Sequence, residues 1–284
     1  WLGEMHNRIA GVDYPSGGAV TKTLELFRIG APHLDTISPD IYLQDADTWR
    51  ELNAAYSAGG PYYVPELMPS PLAATRAIQA VVENGLCGVH FFGIDMFTLP
   101  DGVLTDRFRE AAQAMGTLAV MKPLIEKYQG TDHLYAVAQY EGMSEKYIDF
   151  GDYIGSIRFD NRNNDLMAKK TDTTMDNRHV MDPNTTVRGK GIICYLGDGE
   201  FYLAGSGYRL MLFPKKHIEW ATNAAHSADF LNQRSQPFLS VDEGYLDDEG
   251  VFHTNIHRNG DEADYGFWVT PDVGVVRVRL DPAY

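Results

Sequence analysis

Apolar residues recur in two rhythms along this chain, and the rhythm changes near residue 128. Over the first part, short apolar runs alternate with helix-spaced apolar positions. Residues 1–11 read as the exit of a strand and a polar loop, and Asp13–Gly18 is rich in turn formers. Leu24, Leu26 and Phe27 predict a short amphipathic helix over Thr23–Ile29, ended by Pro32. Leu34–Tyr42 reads as a strand, and Ala46–Ala58 as a helix stopped by Gly59-Gly60-Pro61. Tyr62–Glu66 is the next strand. Leu72–Glu83 is a helix with Asn84-Gly85 as its stop, and Leu86–Ile94 is a strand again. A long helix follows from Arg107 to Ile125, interrupted or ended near Pro123. Strand and helix alternate at about 25 residues per unit, which argues for parallel strands with crossover helices.

Beyond residue 128 the pattern is that of short strands. Tyr135, Val137, Tyr153, Ile157 and Phe159 mark alternation over 131–160. Residues 161–187 are polar, rich in Asn, Asp and Thr, and read as a long surface loop. Two strands flank the Gly197-Asp198-Gly199 turn, and Gly205-Ser206-Gly207 reads as a second hairpin turn. Phe238–Leu280 holds several strands separated by Asp-Asp-Glu-Gly and Asn-Gly turns. The expected fold class is α/β plus all-β: the C-terminal half of a (β/α)8 TIM barrel (strands 5–8) over residues 1–128, and a β-sandwich-like domain over residues 129–284. Half a barrel leaves unpaired strand edges, so the N-terminal half is expected from a preceding segment or a cleaved fragment.

Composition narrows the partners. The 284 residues carry a net charge of -15, which disfavours nucleic acid and anionic membranes but not neutral sugars. No stretch of ~20 apolar residues reads as a membrane span. The chain begins with Trp1 and shows no signal peptide. Cys87 and Cys194, far apart and in no metal-ligand spacing, read as buried free thiols. Asn184-Thr185-Thr186 is a glycosylation sequon if the protein is secreted by a eukaryote. His6, His33, His90 and His133 lack ligand spacing, no phosphate-binding glycine loop precedes a helix, and no Gly-x-Ser-x-Gly elbow occurs. No cofactor is expected.

The candidate chemistry gathers at predicted strand ends, where barrel enzymes place their active sites. Glu66 ends Tyr62-Tyr63-Val64-Pro65-Glu66 and reads either as a surface acid or as a glycosidase nucleophile or base. Asp40 and Tyr42 share one side of their strand; Tyr42 is placed to donate to the nucleophile, against the plainer reading of a cap and a packed ring. Phe92 offers the floor of a sugar subsite. Asp95 is a substrate contact or only a turn with an N-cap, His90 a substrate contact or a core histidine, and Trp1 a stacking face or a hydrophobic cover. A retaining glycosidase needs two carboxylates, and the second has no convincing candidate here.

Four segments, Asp13–Ala19, Leu34–Tyr42, Tyr63–Leu67 and Phe92–Asp95, resemble the later barrel of glycoside hydrolase family 35, the β-galactosidases. The match is closest to a microbial branch with a β-rich C-terminal domain, which Val241–Gly244, Asn259–Glu262 and Gly274–Val278 resemble. The resemblance implies a retaining, exo-acting enzyme that removes terminal β-linked galactose from oligo- or polysaccharides. It matches the nucleophile at the end of the seventh strand to Glu66, and ends the sixth and eighth strands near Tyr42 and Asp95. Its acid/base glutamate, after the fourth strand, has no match; Glu4 falls one strand too late. This chain also carries His90-Phe91 where relatives carry Ser-Pro, which bears on the sugar subsite. Two other readings stand beside this one: a related β-glycosidase with another sugar specificity, and a non-catalytic carbohydrate-binding protein. By analogy with polysaccharide-degrading enzymes, export to the periplasm or the medium is expected, with the cytoplasm as the alternative.

Overall fold

The computed structural model describes residues 9, 11–12, 17–42, 46–104, 106–140, 142–159, 188–216, 238–263 and 266–282. Trp1, Glu4, the polar stretch 161–187 and the Asn184 sequon lie outside these residues.

Strands β1 (Asp40–Ile41), β2 (Tyr62–Leu67) and β3 (Leu86–Phe91) form a parallel sheet in that order. They alternate with α1 (Leu24–Gly30), α2 (Ala46–Ser57), α3 (Pro71–Asn84) and α4 (Asp106–Tyr128). The first strand is much shorter than the sequence suggests. Pro39 has no N–H to donate, and Leu34 is 56% exposed, so only Asp40 and Ile41 pair with β2. The third ends at Phe91 because Gly93 turns left-handed, at φ 75°, into a 3-10 turn over Ile94–Met96.

Helix α3 carries its own boundaries. Ser70 accepts the Ala73 N–H as N-cap, Pro71 sits in the first turn, and Gly85 caps the end at φ 69°. Its small residues Ala73, Ala74, Ala77 and Ala80 are buried, because layers press on it from two sides. Helix α4 passes through Pro123 rather than stopping there. The hydrogen bond that Pro123 forfeits belongs to the carbonyl of Ala119, an exposed residue whose carbonyl water can satisfy.

The rest of the described chain is antiparallel. One six-stranded sheet runs β11-β10-β13-β8-β7-β4 and a four-stranded sheet runs β12-β9-β6-β5. The strands are β4 (Leu134–Ala138), β5 (Glu145–Asp149), β6 (Tyr153–Arg158), β7 (Lys190–Tyr195), β8 (Glu200–Ser206), β9 (Tyr208–Pro214), β10 (Ser240–Leu246), β11 (Phe252–His257), β12 (Phe267–Val269) and β13 (Val275–Arg279). A short α5 (Gly260–Ala263) replaces the expected Asn-Gly turn. Strand β7 shows why its sequence is a continuous apolar run: Ile192 and Cys194 face the helices, whereas Ile193 and Tyr195 face the second sheet. The described chain is therefore layered as parallel sheet, helices, six-stranded sheet and four-stranded sheet. As a whole it is mixed α/β and mostly antiparallel. Cys194 is a buried free thiol, pushed up to about 12 by burial, whereas Cys87 is exposed, contrary to its reading as a core thiol.

The glycines at 205 and 207 do not make a hairpin. Strand β8 pairs with β7 and β13, while β9 pairs with β6 and β12, so the chain crosses between sheets at this corner. Gly205 has φ 136°, and a Cβ there would lie 2.2 Å from the Lys190 carbonyl oxygen. The Gly197-Asp198-Gly199 turn is the expected hairpin, joining β7 to β8.

A buried ion pair ties α4 to the six-stranded sheet. Lys190 Nζ lies 2.6 Å from Glu110 Oε2, with side-chain exposures of 0% and 4%. Nζ also donates to Gln113 Oε1 and Ser206 Oγ, each at 3.1 Å. Burial lowers the lysine pKa, and the Glu110 charge and hydrogen bond partly restore it.

Candidate active site

All three parallel strands end on the same edge of their sheet, and β2 is irregular there. Val64 is the partner of Val89, but Leu67 is the partner of Phe91, so β2 holds one extra residue over that span. Val64 and Leu67 are both fully buried, whereas Pro65 and Glu66 between them are half-buried. The bulge lets both hydrophobic residues face the helices and turns Glu66 away from them. Pro65, which cannot donate to a ladder, suits the position.

Glu66 is the direct cross-strand partner of Asp40. Tyr42, two residues on, donates its phenol proton to Glu66 Oε1. Burial, the hydrogen bond to Glu66, and the charges of Glu66 and then Asp40 all raise the Tyr42 pKa, so it stays a donor. The Phe92 ring meets Tyr42 edge-on at 6.3 Å, and the Phe92 N–H donates to the Leu67 carbonyl at 2.9 Å. That bond carries the pairing of β2 and β3 one residue beyond the strand and holds Phe92, 52% exposed, at the rim.

The structure thus brings together Asp40, Tyr42, Glu66 and Phe92. Asp95 sits exposed on the 3-10 turn, outside the Tyr42–Glu66 pair. His90 is no core histidine: it is exposed, and Tyr63 Oη lies 2.6 Å from its Nδ1 with the rings 88° apart. Sequence reasoning missed Tyr63, whose signal was its pairing with Gly88. A Cβ at 88 would lie 2.9 Å from Tyr63 Cδ2, so glycine makes room for the ring. The neighbouring Tyr62 points the other way, bonding Asn53 on α2, with its phenol pKa raised by burial.

Chemically, the site offers one carboxylate with Oε1 engaged by a phenol and Oε2 outside that bond, beside an aromatic edge. Asp40 is the adjacent acid.

The model for the family described as domain of unknown function (DUF5597) matches residues 112–270, more than half of the chain. The chain belongs to the DUF5597 family. No curated protein matches it. The DUF5597 stretch begins inside α4, two residues after Glu110, and holds every strand from β4 to β12. Its start within α4 is physically sensible, because that helix forms one core with Ile192, Cys194 and Ala204 of the six-stranded sheet. Glu66, Tyr42 and the parallel strands lie outside the DUF5597 match. No helix among the described residues is long and apolar enough to cross a membrane.

Proposed function

We propose that the protein is a retaining, exo-acting β-galactosidase of the kind found in glycoside hydrolase family 35, with Glu66 as nucleophile. The observation that carries this reading is the hydrogen bond from Tyr42 to Glu66 Oε1 across the C-terminal ends of adjacent parallel strands. A carboxylate held this way keeps Oε2 for attack. In the first step Oε2 bonds to the anomeric carbon as the glycosidic C–O bond breaks, and the leaving oxygen takes a proton from a second carboxyl group. In the second step water replaces Glu66 on the anomeric carbon and returns that proton. The second carboxyl belongs, on this reading, to the N-terminal half of the barrel, which also covers the open face bearing Tyr63 and His90.

Phe92 then stacks on the galactose or its leaving group, with Asp40, His90 and Asp95 around the hydroxyls. The substrate is a galactose-containing oligo- or polysaccharide, compatible with the acidic surface because it is neutral.

The test is to treat the complete protein, and its Glu66→Gln variant, with a 2-fluoro-galactoside bearing a good leaving group. Intact mass should show a galactosyl adduct on the wild type, mapping to Glu66, and none on the variant. A variant with full turnover, or an adduct elsewhere, overturns the assignment. Relative kcat/KM on aryl β-galactoside, β-glucoside and α-arabinoside separates galactose preference from a related specificity. Absence of turnover with retained sugar binding is the outcome expected of a carbohydrate-binding protein.

A further inference from the structure

The six-stranded sheet is two strands wider than the sheet it faces, and its last hairpin bears an uncovered aromatic. At the end of the four-stranded sheet, β12 packs over β13 and β8, and β10 and β11 carry on beyond it. Along β10, Gly244 pairs with Val275, which faces the helices, and Leu246 packs on that same side. Tyr245 between them therefore points to the sandwich side, where a core residue would stand if the second sheet reached it. It is instead 50% exposed.

Its orientation is set from beneath. Tyr245 and His253 are cross-strand partners, and their rings stack at 5.0 Å with an interplanar angle of 16°. Asp247 Oδ2 holds His253 Nε2 at 2.7 Å, and Oδ1 of the same carboxylate accepts the Val251 N–H at 2.8 Å. One face of the tyrosine is thus seated on a ring that is itself fixed, and half of the residue's surface is exposed. Such a ring loses little freedom when a flat apolar surface settles on it. The adjoining turn exposes Asp248 and Glu249, which accept hydrogen bonds from hydroxyls and repel anions.

We infer that the outer face of Tyr245 is a platform for one pyranose ring of a neutral polysaccharide. The C–H face of the sugar lies on the tyrosine, and its hydroxyls donate to the carboxylates of the turn. This assigns a role within the DUF5597 stretch and does not depend on chemistry at Glu66.

The experiment is affinity electrophoresis of the full protein in gels containing β-galactan, xylan or β-glucan, with polygalacturonate as the anionic comparison. The wild type should be retarded in at least one neutral gel and not in polygalacturonate. Tyr245→Ala should weaken that binding by about tenfold or more, the worth of one stacked ring. Tyr245→Phe should preserve it, as should Glu66→Gln. If Tyr245→Ala fails to fold, Asp247→Asn, which loosens His253 on an exposed turn, should weaken binding at an unchanged melting temperature. Absence of retardation in every neutral gel, equal retardation of wild type and folded Tyr245→Ala, or loss of binding in Glu66→Gln alone overturns the inference.

Discussion

Removing either partner of the Glu110–Lys190 pair should be among the most damaging single changes in this protein. The two charges sit 2.6 Å apart, and neither side chain is more than 4% exposed. Lys190→Met strands the Glu110 carboxylate in the core; Glu110→Gln leaves the ammonium without a counter-charge, facing neutral acceptors on the new amide, Gln113, Ser206 and the Arg188 carbonyl. An uncompensated buried charge costs about 3–5 kcal/mol, so each single variant should lose that much in urea unfolding. The double variant Glu110→Leu with Lys190→Met removes both charges and should lie within about 1 kcal/mol of wild type or be more stable, giving a large coupling energy in the cycle. The pH dependence follows from the lowered lysine. Between its folded value and 10.5 the unfolded chain binds more protons, so wild type should gain stability relative to Lys190→Met as pH rises through that window. Single variants that each cost under about 1 kcal/mol would refute the dry, charged pair and mean that water reaches it.

Three further outcomes follow from other parts of the fold. Tyr42→Phe removes a hydrogen bond to a charged group worth about 1.5–3 kcal/mol, so kcat/KM on an aryl β-galactoside should fall roughly 10- to 150-fold with the melting temperature little changed; a fall under threefold would contradict the role given to Tyr42. Asp242 is fully buried, and burial alone would push its carboxyl up, but Arg277, His257 and Ser240 hydrogen-bond it and hold it below the ordinary 3.8. Its stabilisation is therefore present above 3.8 and lost as pH falls through the folded value, so Asp242→Asn should unfold more easily at pH 7 and lose less on acidification than wild type, as read by urea melts at both pH values. Gly205→Ala should cost at least about 2–3 kcal/mol, because the new methyl meets the Lys190 carbonyl at a left-handed φ; a neutral thermal melt would disprove the corner geometry.

Local rules made much of this chain readable in advance. The Gly85 stop of α3 and the strand–helix alternation up to residue 91 depend on neighbours in sequence, where turn chemistry and hydrophobic period act. Tyr42, Asp40 and Glu66 could be nominated for the same reason, as residues at strand ends. What sequence left open depended on partners distant along the chain. The bulge that turns Glu66 out exists only because Val64 and Leu67 both have to reach the helix layer against β3. Gly205 reads as a turn glycine until the pairing of β8 and β9 shows them in different sheets. Tyr63 and Tyr62 are adjacent and chemically identical, yet one meets His90 on the open face and the other Asn53 in the core. A side chain's chemistry is written in its residue type, but which face it serves is a matter of strand register, and register is settled only when the layers pack.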